Sequence, residues 1–95
     1  MITEDINKKR ADILRIAQRH GVLSIRLFGS CARGDARKDS DVDLLITVGP
    51  DHSRWFPGGL VADLEELIGR PVDIVEEEVL SADVRSNIIQ GSVPL

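Results

Sequence analysis

From Phe28 to Ile46 the chain reads FGSCARGDARKDSDVDLLI. A Gly29-Ser30 turn interrupts one apolar run and a basic patch follows. Three acids, Asp39, Asp41 and Asp43, then alternate into a second apolar run, VDLLITV over Val42–Val48. The β-branched and aliphatic content of that run predicts a strand. Strand side chains alternate between faces, so Asp41 and Asp43 share one face with Cα atoms ~6.5 Å apart, while Val42 and Leu44 point into the core. Two carboxylates so placed repel each other and are costly unless something cationic lies between them.

Upstream, VLSIRLF (Val22–Phe28) alternates loosely and predicts the strand that Gly29-Ser30 ends. Before it, Thr3 can cap a helix with Glu4 and Asp5 in its first turn. Ile6, Ile13, Leu14 and Ala17 would form its apolar face and Gly21 its stop. Downstream, GPDHSRWFPGG (Gly49–Gly59) predicts a loop. Leu60, Val61, Leu64, Leu67 and Ile68 make a helical stripe that Gly69 ends. PVDIV (Pro71–Val75) predicts a third strand, and Ser81 caps a last helix to about Gln90. The expected order is α-β-α-β-α-β-α with a short second helix, an α/β (α+β) sheet with helices packed on it.

The 95 residues suit one domain, 1–95, with one core. A charged content of 29% fits a soluble protein, and no apolar run approaches the ~20 residues of a membrane span. The start, MITEDINKKR, is acidic and amphipathic, unlike a signal peptide. A single cysteine, Cys31, forms no internal disulfide and suggests a cytoplasmic protein. The net charge of −4 argues against a direct nucleic-acid binder and favours small phosphorylated ligands or another protein.

Hard oxygen ligands without neighbouring His or Cys suit Mg²⁺ or Mn²⁺ rather than zinc. Asp73, inside PVDIV, joins Asp41 and Asp43 if its strand pairs beside Val42–Val48. Three carboxylates can hold two ions about 4 Å apart, as in-line displacement at phosphorus requires. At Gly29-Ser30, exposed N–H groups and the Ser30 hydroxyl suggest an anion pocket, and Gly29 permits close approach. Arg33, Arg37 and Lys38 are available to neutralise a triphosphate. Plainer readings stand beside these. Asp41 and Asp43 can be a solvated strand start, Asp73 an exposed edge residue, and Ser30 a helix cap. Arg37 and Lys38 can be solvated charge. Cys31 reads as a small packing residue, and His20 and His52 as surface. Trp55 and Phe56 fit a partner contact, a base cover or a core anchor. Glu76-Glu77-Glu78 fits a solvated strand exit or a contact for a basic partner.

Two familiar motifs fail. GSCARGDA has P-loop glycine spacing, but Asp35-Ala36 stand where Lys and Ser/Thr are required. DSDVD begins like a calcium loop, but Leu44 takes the glycine position and Pro50 the bidentate Glu position.

Gly29-Ser30, ten intervening residues and then Asp41-Val42-Asp43 opening a strand resemble the DNA polymerase β-like nucleotidyltransferase superfamily. The fuller string GSCARGDARKDSDVD is similar to its smallest branch, the minimal nucleotidyltransferases. The resemblance runs from the first helix through DLEELIGRPVDIV to the last helix. It implies a small mixed β-sheet flanked by helices and transfer of a nucleoside monophosphate from an NTP with divalent metal. It also implies Asp41 and Asp43 as ligands of two metals. Asp73 would be the ligand beside the acceptor hydroxyl and a candidate to take its proton. Gly29 and Ser30 would hold the triphosphate, and Arg33 and Ser40 complete the expected nucleotide-binding set. Many such proteins are antitoxins that add AMP from ATP to a tyrosine of a helical HEPN ribonuclease toxin. The expectation is therefore a Mg²⁺-dependent protein adenylyltransferase with a HEPN partner. Alternatives are an antitoxin that only masks the toxin, or transfer to a small molecule or RNA. Cys31 departs from the aromatic or small residue common there.

Overall fold

Arg26, Leu27 and Phe28 lie opposite Leu45, Leu44 and Asp43, so the two apolar runs that flank the Gly-Ser turn pair with each other. The computed structural model describes residues 4–34, 40–50 and 56–95. The capping role expected of Thr3, and the roles of Arg37, Lys38, Asp39, His52 and Trp55, lie outside those residues.

The elements are α1 (Glu4–Lys8), α2 (Arg10–Arg19), β1 (Val22–Phe28), α3 (Ser30–Arg33), β2 (Val42–Val48), α4 (Gly58–Ile68), β3 (Val72–Glu76), a 3₁₀ turn (Glu77–Val79), α5 (Ala82–Gln90) and β4 (Val93–Pro94). The sheet order is β3-β2-β1-β4. β2 runs antiparallel to β1 and parallel to β3, and β1 runs antiparallel to β4. The sheet is therefore mixed and flanked by helices, as the sequence resemblance implies.

β2 is a central strand, and Val42, Leu44 and Ile46 are fully buried. They meet Ile13, Ile16 and Ala17 of α2 and Leu60, Leu64 and Ile68 of α4 in one core. Each Val, Leu or Ile among them contributes about 1.5–3 kcal/mol by leaving water. Leu45, on the opposite face, is buried too, and the 3₁₀ turn packs against β2. The loose alternation of β1 comes from a bulge between Val22 and Ser24. The extra residue turns Leu23 outward and lets Val22, Ile25 and Leu27 all face in.

Three local features differ from the expectation. The first helix is broken at Lys9, whose N–H bonds back to the Ile6 carbonyl (3.1 Å) while its Nζ donates to the Leu67 carbonyl (2.9 Å). Within α2 the buried stripe is Ile13, Ile16 and Ala17, and Leu14, expected on it, is 38% exposed. The chain end adds β4, whose Pro94 is tolerated because the strand lies at the sheet edge. The last helix matches expectation, with Val84 N–H donating to the Ser81 hydroxyl. Among the described residues no helix is long and apolar enough to cross a membrane.

Candidate active site

Parallel pairing sets Asp43 of β2 directly opposite Asp73 of β3. Neighbouring strands lie about 4.8 Å apart, so the two carboxylates rise side by side from one sheet face. Asp41 is exposed one residue ahead of β2, Asp43 is half-buried and Asp73 is exposed. Asp41 and Asp73 contribute charge that Asp43 feels.

β1 brings the Gly-Ser turn to the same place. Phe28 pairs with Asp43, so the next residue, Gly29, passes along the Asp43 carboxylate. A Cβ on Gly29 would run into Asp43 Oδ2 and lie 3.3 Å from its Cγ. The backbone there has φ +71° and ψ −153°, a region essentially reserved to glycine. Glycine is thus required twice over, by its conformation and by the carboxylate against it. Gly29 holds the N-cap position of α3, and its carbonyl accepts from the N–H groups of Ala32 and Arg33, both at 3.2 Å. No side chain caps this start, so Ser30 is not a helix cap. Arg33 is exposed at the end of α3, and Ser40 is half-buried immediately before Asp41.

Burial is the largest influence on Asp43 and pushes its carboxyl above the ordinary value. Asp73 and Asp41 push the same way, and Arg33 opposes them. A divalent cation would relieve that repulsion, and the all-oxygen donor set suits a hard ion. Among the described residues, no three His, Cys, Asp or Glu side chains are grouped so as to hold an ion between them. Mg²⁺ characteristically takes one or two carboxylates and completes its shell with water and substrate phosphate. The Asp43–Asp73 pair with Asp41 alongside fits that open kind of site.

Arg70 is the residue that sequence reasoning missed. Its side chain is 9% exposed, and it donates from Nε to the Ser40 carbonyl (3.0 Å), from Nη1 to Asp5 Oδ2 (2.9 Å) and from Nη2 to Cys31 Sγ (3.2 Å). Its one sequence signal is a cation between the helix stop Gly69 and the strand that carries Asp73. Cys31 is fully buried, as a packing residue would be, and burial raises its thiol pKa. His20 differs from its surface reading: its side chain is 12% exposed, with Nε2 2.8 Å from Asp63 Oδ2. Phe56 packs partly buried against the core, which favours the anchoring role. An apolar groove of about 660 Å³, lined by Leu14, Leu23, Ile25 and Leu95 among others, contains none of the acids and lies away from this site.

A family model described as a nucleotidyltransferase domain matches residues 9–95. A Methanocaldococcus jannaschii protein provisionally named protein adenylyltransferase MJ0435 is 30% identical over 89 residues, covering 94% of this chain and 96% of its own. Protein adenylyltransferase MntA of Thermococcus cleftensis is 35% identical over 78 residues, 82% of this chain and 79% of its own. A solved structure provisionally identified as a minimal nucleotidyltransferase superimposes with a TM-score of 0.87 at 38% identity, covering 100% of this chain and 97% of that one. The fold recurs at 19% identity in a toxin-antitoxin complex with AMP-PNP (TM-score 0.74, 88% of this chain and 69% of that one). It recurs at 16% in the MNT antitoxin bound to a tri-AMPylated Shewanella oneidensis HEPN toxin (TM-score 0.68, 93% and 69%). With its match across residues 9–95, its near full-length relatives and the fold of a minimal nucleotidyltransferase, this chain belongs to the nucleotidyltransferase domain family.

Proposed function

We propose that this chain is a cytoplasmic, single-domain protein adenylyltransferase, spanning 1–95, that transfers AMP from ATP to a tyrosine hydroxyl of a cognate helical HEPN toxin. The observation that carries this reading is the in-register Asp43–Asp73 pair set against the Gly29 turn. It is supported by relatives named as protein adenylyltransferases and by the recurrence of the fold in toxin-antitoxin complexes.

The acceptor oxygen attacks the α-phosphorus, the bond from that phosphorus to the β-phosphate oxygen breaks, and pyrophosphate leaves. Asp41, Asp43 and Asp73 are the residues that would hold Mg²⁺ or Mn²⁺, two ions in all. When bound, such ions supply charge neutralisation on the triphosphate and on the leaving pyrophosphate. The Gly29-Ser30 turn, Arg33 and Ser40 hold the triphosphate and orient its α-phosphorus. Asp73, on the exposed outer strand, faces the acceptor side and takes the hydroxyl proton.

The test incubates the chain with the helical protein encoded beside it, ATP labelled on the α-phosphate, and Mg²⁺. Label should appear on the partner and fall about 100-fold or more in Asp41→Asn/Asp43→Asn and in Asp73→Asn, since even outer-shell changes cost 10- to 100-fold. The second reading is masking of the toxin without chemistry. Full neutralisation by the double variant with no label transferred would establish masking instead.

A further inference from the structure

Arg70 joins three backbone segments that the sequence keeps far apart. Its Nε bonds the carbonyl of Ser40, the residue before Asp41. Its Nη2 bonds the sulfur of Cys31, the residue after Ser30. Arg70 itself stands three residues before Asp73. One guanidinium therefore links the turn after Gly29, the segment leading through Asp41 into β2, and the approach to the strand with Asp73. Asp5 of α1 holds its outer edge at 2.9 Å. Two more bonds close the same crossing: the Cys31 thiol donates to the Asp41 carbonyl (3.6 Å), and the Val42 N–H donates to the Pro71 carbonyl (2.8 Å).

The chemistry of these contacts favours arginine in particular. A planar fork can donate to three acceptors in fixed directions, whereas an ammonium is a point charge on a flexible stem. An ion pair serving stability alone would need only Asp5. Here the two remaining contacts go to the Ser40 carbonyl and the Cys31 sulfur, both on segments adjoining the acids and the turn. Arg33, not Arg70, is the cation that opposes the rise at Asp43.

We propose that Arg70 is a positioning residue for nucleotidyl transfer, fixing the Ser40–Asp43 segment against the Gly29–Arg33 turn. This rests on the acids and the turn being the reaction site.

The experiment compares Arg70→Lys with Ser81→Ala, which removes the cap of the distant α5. Readouts are thermal midpoint, kcat and KM for ATP, and amide exchange of the apo protein. Arg70→Lys should lower kcat about 10- to 100-fold, the scale of a small misplacement of reacting groups, with a much smaller change in KM. Exchange should quicken in residues 29–33 and 40–43 while α2 and α4 keep their protection. Ser81→Ala should lower the midpoint and leave kcat unchanged. Wild-type kcat in Arg70→Lys, or exchange that quickens uniformly, overturns the proposal. If the wild-type chain transfers no AMP at all, the functional reading fails. The exchange pattern then decides alone: local loosening keeps the clasp, and unchanged or uniform exchange removes it.

Discussion

Asp43 carries a conflict that any bound cation would resolve. Its carboxylate is half-buried, opposite Asp73, near Asp41 and pressed against the Gly29 backbone. Burial and those two acids raise its pKa above the ordinary 3.8. The folded chain thus keeps the Asp43 proton at pH values where the unfolded chain has lost it. The resulting stability is fully present below the ordinary value and is lost as pH rises through the raised one. Metal-free Asp43→Asn should therefore unfold at a higher temperature than the wild type near neutral pH, and this gap should close in acid. Thermal melts across that pH range check it; a variant less stable than the wild type at neutral pH would refute it. The acids were legible in sequence because strand periodicity is two and they interrupt apolar runs. Arg70 was not, because a carbonyl, a thiol and an acid 65 residues away leave no local pattern.

At the scale of elements, legibility follows the strength of the period. β1 and β2 have the bounds expected from sequence, and Gly69 with φ +76° ends α4 as expected. The first helix shows where pattern reasoning stops. Ile13 and Leu14 lie about 100° apart on one helix, so only one faces the core, and at the break Lys9 Nζ donates to the Leu67 carbonyl on another helix. No local rule contains that partner. β4 escaped for a similar reason: two residues carry no period, and their pairing with Arg26 and Leu27 is purely tertiary. The buried face of α2 makes a direct prediction. Ile13→Ala, at a fully buried position, should cost about 2–5 kcal/mol. Leu14→Ala, partly exposed one residue on, should cost less than about 1 kcal/mol. Urea denaturation of the two variants measures both, and equal losses would mean that Leu14 is as buried as Ile13.

For the whole molecule, the sheet order makes β3 an edge strand, so Asp73 lies at the outer side of the sheet beside Glu76 and the 3₁₀ turn with Glu77 and Glu78. Acidic side chains along an exposed edge discourage strand addition by other chains. The chain as a whole carries a net charge of −4. The proposed substrate ATP is an anion, so its approach to Asp41, Asp43 and Asp73 would need divalent cations and the arginine-bearing α3. The proposed protein acceptor would face the opposite requirement, because the edge with Asp73, Glu76, Glu77 and Glu78 is acidic. Complementary charge steers encounter and acts mainly on the association rate. For the proposed partner, raising the salt from about 50 to about 300 mM should slow association roughly 10-fold, as the screening length shortens, and leave dissociation nearly constant. Stopped-flow or surface-plasmon kinetics with the purified partner resolve the two rates. An association rate indifferent to salt would mean that the partner docks through apolar contact away from the acidic edge.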